Sequence, residues 1–212
     1  MATQFTPGEK DVLIIVDVQN DFCPGGALAI EEGDQVVPVI NRLSGLFTHS
    51  VLTQDWHPPG HSSFASSHAG KAPFEQIEVS YGPQTLWPDH CIIGTDGAAF
   101  RTDLETDGAE LVIRKGFRPA IDSYSAFFEN DKTTPTGLQS YLKERGFERA
   151  FVTGLALDFC VRFSAEDARA CGLETMVVTD ASRPVNMPGT LDDAMTSFAD
   201  RGIACIDSSA IG

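Results

Sequence analysis

The 212-residue chain has no CxxC pair. Its five cysteines, Cys23, Cys91, Cys160, Cys171 and Cys205, form an odd set without the spacing of a disulfide framework. A reducing, cytoplasmic setting is therefore expected. Long hydrophobic runs are also missing: residues 12–16, Val-Leu-Ile-Ile-Val, fall far short of the roughly 20 apolar residues that span a bilayer. The first ten residues lack a basic stretch followed by an apolar one, so no signal peptide is expected. Positive charge is scarce, with 15 Lys and Arg against 30 Asp and Glu and a net charge of -15. No basic cluster offsets it, which argues against nucleic acid and anionic membranes as partners.

What is present reads as one globular domain. Hydrophobic residues make up 42% and charged residues 21% of the chain, as in ordinary soluble domains, and the length allows one well-buried core. We expect a flexible segment over residues 1–9 and one domain over residues 10–212. Strand patterns fall at residues 12–16, 50–53, 110–113, 150–153, 175–179 and 203–206. Helical patterns fall at residues 35–46, 134–145, 161–170 and 191–201, the second opening at Thr134-Pro135 and stopping at Gly146. Alternating strands and helices, with strands apolar throughout, predict an α/β, three-layer domain. Its mainly parallel sheet has about six strands, with helices on both faces. Residues 58–88 read as a long functional loop.

The placement of polar residues carries the chemistry. Open parallel sheets bind ligands beyond the carboxyl ends of their strands. Asp17 follows the first strand, Asp55 and His57 the second and Lys115 the third, while Cys160 lies just past the fourth where a helix begins. A thiol at a helix N-terminus is favoured as thiolate, and the free N–H groups there suit an oxyanion. Taken alone, each residue has a plainer reading. Cys160 could be a packed thiol, Lys115 a solvated strand end, and Asp17 or Asp21 a turn carboxylate. Four of the five histidines fall between His57 and His90, and mixed imidazole and carboxylate donors suit zinc, iron or manganese. Phe22, Trp87, Tyr124 and Phe159 each lie close to one of these groups and could wall a flat ring or simply fill the core.

The ordered motifs Asp17-Val18-Gln19-Asn20-Asp21-Phe22, Asp55-Trp56-His57-Pro58, Trp87-Pro88-Asp89-His90-Cys91, Arg114-Lys115-Gly116 and Asp158-Phe159-Cys160-Val161 resemble the nicotinamidase/pyrazinamidase group of isochorismatase-like hydrolases. The resemblance runs from about residue 10 to the C-terminus. It implies a metal-assisted amidohydrolase in NAD salvage, converting nicotinamide, and with it pyrazinamide, to nicotinate and ammonia through a thioester. It implies an Asp17, Lys115 and Cys160 triad. The oxyanion hole would be formed by the N–H groups of Ala156 and Cys160, with a cis peptide between Leu155 and Ala156. One divalent metal ion, zinc before iron or manganese, would be held by Asp55, His57 and His90, with His61 and Ser63 as further ligand candidates. Phe22, Trp87 and Tyr124 match ring-binding positions, with Phe159 beside the nucleophile. The alternatives are a relative acting on a carbamoyl or ureido compound, a hydrolase using metal-bound water, and a binding protein without turnover. The sequence leaves a homo-oligomer open.

Overall fold

Every residue of the first strand, β1 (Asp11–Val16), is buried. Alternate side chains of a strand point to opposite faces. Leu13 and Ile15 therefore enter one core, while Val12, Ile14 and Val16 enter another. Such a strand must lie mid-sheet with both faces covered. The computed structural model describes residues 4–212 and places it there.

The remaining strands are β2 (Ser50–Asp55), β3 (Gln76–Val79), β4 (Gly82–Thr85), β5 (Leu111–Lys115), β6 (Arg149–Leu155), β7 (Glu174–Arg183) and β8 (Ala204–Ile206). The main sheet runs β5-β2-β1-β6-β7-β8, and all of its pairings are parallel. Helix α1 (Val36–Ser44) covers one face through Val36, Val37, Ile40 and Leu43. Helices α2 (Leu138–Arg145), α3 (Arg162–Ala170) and α4 (Thr190–Arg201) contribute apolar residues to the core on the other. The expected three-layer α/β architecture is therefore present. Among the described residues, no helix is long and apolar enough to cross a membrane.

Three local expectations need correction. Helix α2 starts at Leu138, not at Thr134. The Asp131 carboxylate accepts hydrogen bonds from the Thr134 N–H (2.8 Å) and hydroxyl (2.6 Å), which spends that residue in a turn. Thr136 Oγ1 then accepts the Leu138 N–H at 3.2 Å. Residues 58–88 are not wholly loop, because β3 and β4 form an antiparallel hairpin. Gly82 and Pro83 within β4 hide it from a propensity reading. The segment expected to be flexible through residue 9 is tied down from Phe5. That residue pairs with Ile211 and meets Phe151 edge to face at 5.9 Å. Residues 1–3 lie outside the described residues.

Candidate active site

Four neighbouring strands, β5, β2, β1 and β6, end on one edge of the sheet. In the β2–β5 ladder Asp55 is the register partner of Lys115, so pairing alone sets these two side chains together. The Lys115 ammonium lies 2.6 Å from Asp55 Oδ1 and 2.7 Å from Asp17 Oδ2. It also donates to the Ser123 carbonyl at 2.9 Å and lies 3.5 Å from Cys160 Sγ. A lysine with no solvent exposure is costly unless paired. Here two carboxylates hold its charge, and they push its pKa well above the usual value although burial alone would lower it. The aspartates diverge. Burial raises Asp17, whereas in Asp55 the charges of Lys115 and His57 outweigh burial and hold the carboxyl well below its usual range.

Asp17 turns the chain sharply out of β1 with a left-handed φ of 49°. Beyond β6 the Leu155–Ala156 peptide is cis. Cys160 then sits in a wide π turn, Leu157–Val161, closed by the Val161 N–H on the Ala156 carbonyl at 3.0 Å. This differs from the expected regular helix start. The resting thiol differs too. Burial pushes Cys160 well above the ordinary thiol value despite Lys115, so the thiol rests protonated and needs a base.

A second cluster adjoins the first. Nε2 of His57 lies 3.4 Å and Nε2 of His90 lies 3.6 Å from Asp55 Oδ2. Their Nδ1 atoms face the carbonyls of Gly116 (2.9 Å) and Pro88 (2.8 Å). Carbonyl oxygens only accept, so each Nδ1 carries a hydrogen and each ring directs its Nε2 toward Asp55. Three donors converging in this way fit a divalent ion. Gly116 is required at this point: a Cβ there would lie 2.4 Å from the His57 ring.

His61 is turned away from this set. Its Nε2 faces the Arg118 carbonyl at 2.9 Å, and its Nδ1 accepts the Ser63 N–H at 3.2 Å beside Ser63 Oγ at 2.7 Å. Both nitrogens are committed, although His57, His61 and Asp122 place donor atoms within 4.8 Å of one another. His61 and Ser63 brace the His57 ring, which lies 4.4 Å from that of His61 between centroids. Asp17, Asp55 and Cys160 also converge, but the Lys115 ammonium already contacts all three.

A pocket of about 340 Å³, its open mouth included, faces both clusters. Phe22, Trp87, Tyr124 and Phe159 all line it, beside Asp55, His90, Ala156 and Cys160. Trp87 and Phe159 meet edge to face at 4.9 Å. Sequence reasoning missed Leu28, Asp122 and Val185 of this wall. It also missed the residues that set the wall. Gln84 of β4 donates to Asp122 Oδ2 (2.8 Å) and to the Tyr124 hydroxyl (3.1 Å). Asp158 accepts the N–H groups of Val185 (2.8 Å) and Asn186 (2.9 Å), and Gln19 clamps the Asp55 backbone through both its N–H and its carbonyl. Asp21 accepts the Ala27 and Cys91 N–H groups and is a turn carboxylate. Gln19, Asp21 and Asp158 stand inside the sequence motifs, but nothing local reveals these distant partners.

Residues 11–210 match the isochorismatase domain family. The chain belongs to the isochorismatase family. It is 50% identical over 199 residues to a nicotinamidase of Acinetobacter baylyi, covering 94% of this chain and 93% of that protein. A nicotinamidase/pyrazinamidase structure from Acinetobacter baumanii superposes with a TM-score of 0.94 at 50% identity, over 95% of this chain and 98% of the other. A structure from L. infantum in complex with nicotinate gives 0.86 at 38% identity, covering 99% and 98%. A Pyrococcus horikoshii pyrazinamidase in complex with zinc gives 0.74 at 33% identity, covering 93% and 99%. In this isochorismatase-family chain the matched region contains all the strand-end polar residues described above.

Proposed function

We propose that the chain is a nicotinamidase that hydrolyses nicotinamide, and with it pyrazinamide, to nicotinate and ammonia through a thioester on Cys160. The observation that carries the reading is the buried Lys115 ammonium, 2.7 Å from Asp17 Oδ2 and 3.5 Å from the Sγ of Cys160, which lines an aromatic-walled pocket. The 50% identity to a nicotinamidase supports the choice of substrate. Five free thiols suit a reducing, cytoplasmic setting, where the nicotinate formed would enter NAD salvage.

Asp17 takes the Cys160 proton, and Lys115 offsets the charge that appears on sulfur. The thiolate attacks the amide carbon, and the backbone N–H groups of Ala156 and Cys160 hold the oxyanion. Asp17 returns the proton to the departing amine, which leaves as ammonia. It next takes a proton from the water that attacks the thioester, and Cys160 leaves as the thiol once nicotinate is released. Asp55, His57 and His90 would hold one divalent ion, zinc by preference. When bound, it supplies a fixed positive charge that positions the ring. Phe22, Trp87, Tyr124 and Phe159 stack around the ring and exclude water.

Ammonia release from nicotinamide tests the reading. Cys160→Ala should abolish it, and mass spectrometry of quenched wild-type turnover should find the nicotinoyl adduct on Cys160. Full activity of the variant would overturn the covalent route.

A further inference from the structure

We propose that Thr53 is a positioning residue that dictates which oxygen of Asp17 exchanges the proton with Cys160. The inference deepens the proposed reaction and rests on it. Thr53 lies in β2, the strand neighbouring β1, which Asp17 follows, and both residues are fully buried. Its hydroxyl makes two contacts to one residue. Oγ1 lies 2.6 Å from Asp17 Oδ1 and accepts the Asp17 backbone N–H at 3.2 Å. A hydroxyl has a single hydrogen. One of its two lone pairs takes the N–H, and its single hydrogen is directed at Oδ1, which as a carboxylate oxygen accepts it.

The consequence falls on the other oxygen. Oδ2 has no hydrogen-bond partner although it is buried, and its 2.7 Å approach to Lys115 Nζ is an ion pair without hydrogen-bond alignment. Lys115 Nζ in turn lies 3.5 Å from Cys160 Sγ. Thr53 thus engages Oδ1 and leaves Oδ2, which faces Lys115 and has no hydrogen-bond donor of its own, as the oxygen that takes and returns a proton. Gln19 does not substitute for it, because its amide is spent on the backbone of Asp55. The sharp turn at Asp17, with φ at 49°, adds to the need for a hold on both its N–H and its side chain. Thr53 touches no pocket surface, so it acts through Asp17 and is not itself a catalytic residue.

The test compares Thr53→Val, which keeps the β-branched shape and removes the hydroxyl, with Thr53→Ser, which keeps the hydroxyl. Misplacing a reacting group by about 1 Å costs on the order of 100-fold in rate. Thr53→Val should therefore lower kcat for nicotinamide by about 10- to 100-fold and leave KM within about threefold, whereas Thr53→Ser should recover kcat to within about threefold of wild type. Equal losses in the two variants, or a Val variant with unchanged kcat, would overturn the proposal. Crystal structures of the variants provide a readout independent of substrate. The Asp17 carboxylate should rotate away from its present orientation in Thr53→Val and keep it in Thr53→Ser. An unmoved carboxylate in Thr53→Val defeats the positioning role, while a wild type inert toward nicotinamide defeats the proposed reaction and leaves the structural comparison to decide on Thr53.

Discussion

At the scale of single residues, the site is built on opposed pKa shifts. Burial pushes Cys160 up, the Lys115 charge pulls it down, and the charge of Asp17 pushes it up again. The two neighbours should therefore separate on mutation. Lys115→Ala should move the pH midpoint of Cys160 alkylation upward, because a cation that favours the thiolate has gone. Asp17→Asn removes a negative charge, so the midpoint should stay or fall. Turnover should collapse in both, by about 100-fold or more, as expected when a general acid–base group is lost. Ammonia release alongside iodoacetamide labelling checks both arms. Near-normal turnover in Asp17→Asn would move the base elsewhere, with metal-bound water next in line.

At the scale of elements, the β3–β4 hairpin holds the pocket wall from outside the main sheet. Gln84 is fully buried, and its amide nitrogen is the donor to Asp122 and Tyr124. Tyr124 also receives the Trp87 indole N–H at 3.2 Å. Gln84→Leu would leave the Asp122 oxygen and the Tyr124 hydroxyl short of a donor. We expect KM for nicotinamide to rise about tenfold, the equivalent of about 1.4 kcal/mol and within the usual cost of an unpaired buried polar group, with kcat little changed. A fall in kcat at constant KM would show that the hairpin acts on the chemistry and not on the wall. The same reasoning applies to the π turn. Asp158, inside it, accepts from Val185, Asn186 and Thr190 and so fastens the segment that carries Val185 into the pocket.

At the scale of the whole molecule, the metal cluster ties together the end of β2 and the segment ending at His90. A ligand that binds only the folded state adds about 4 kcal/mol at a thousandfold excess over its Kd. For a chain of this size each kcal/mol moves Tm by about 2–4 °C, so chelation should lower Tm by about 10 °C and zinc should restore it. His57→Ala should remove both the metal and this response, and unchanged metal content would contradict the ligand set. Protons compete with the ion. Although burial alone would lower it, the charge of Asp55 raises the pKa of apo His57 above its usual 6.5. Its imidazole must lose a proton to bind, so metal affinity should fall as pH drops through and below neutrality. Calorimetric titration at several pH values reads this directly.

The order of residues along the chain was enough to specify the parallel sheet and the edge on which the site lies. A strand apolar and buried on both faces, as β1 is over residues 12–16, must be interior, and a polar residue following it must face a cleft or a partner, as Asp17 faces Lys115. The donor types at Asp55 and His57 were legible too, because the two residues stand within one short motif. What those groups are bonded to became visible only in the folded molecule. The pairing of Asp55 with Lys115 follows from strand register, the raised pKa of Cys160 from burial, and the engagement of His61 Nε2 from two carbonyls more than fifty residues away. Thr53, Gln84 and Asp158 carry no pattern of their own in the chain. Their roles arise when folding leaves a buried polar atom with one available partner, and that partner is chosen by packing between distant segments and not by neighbours in sequence.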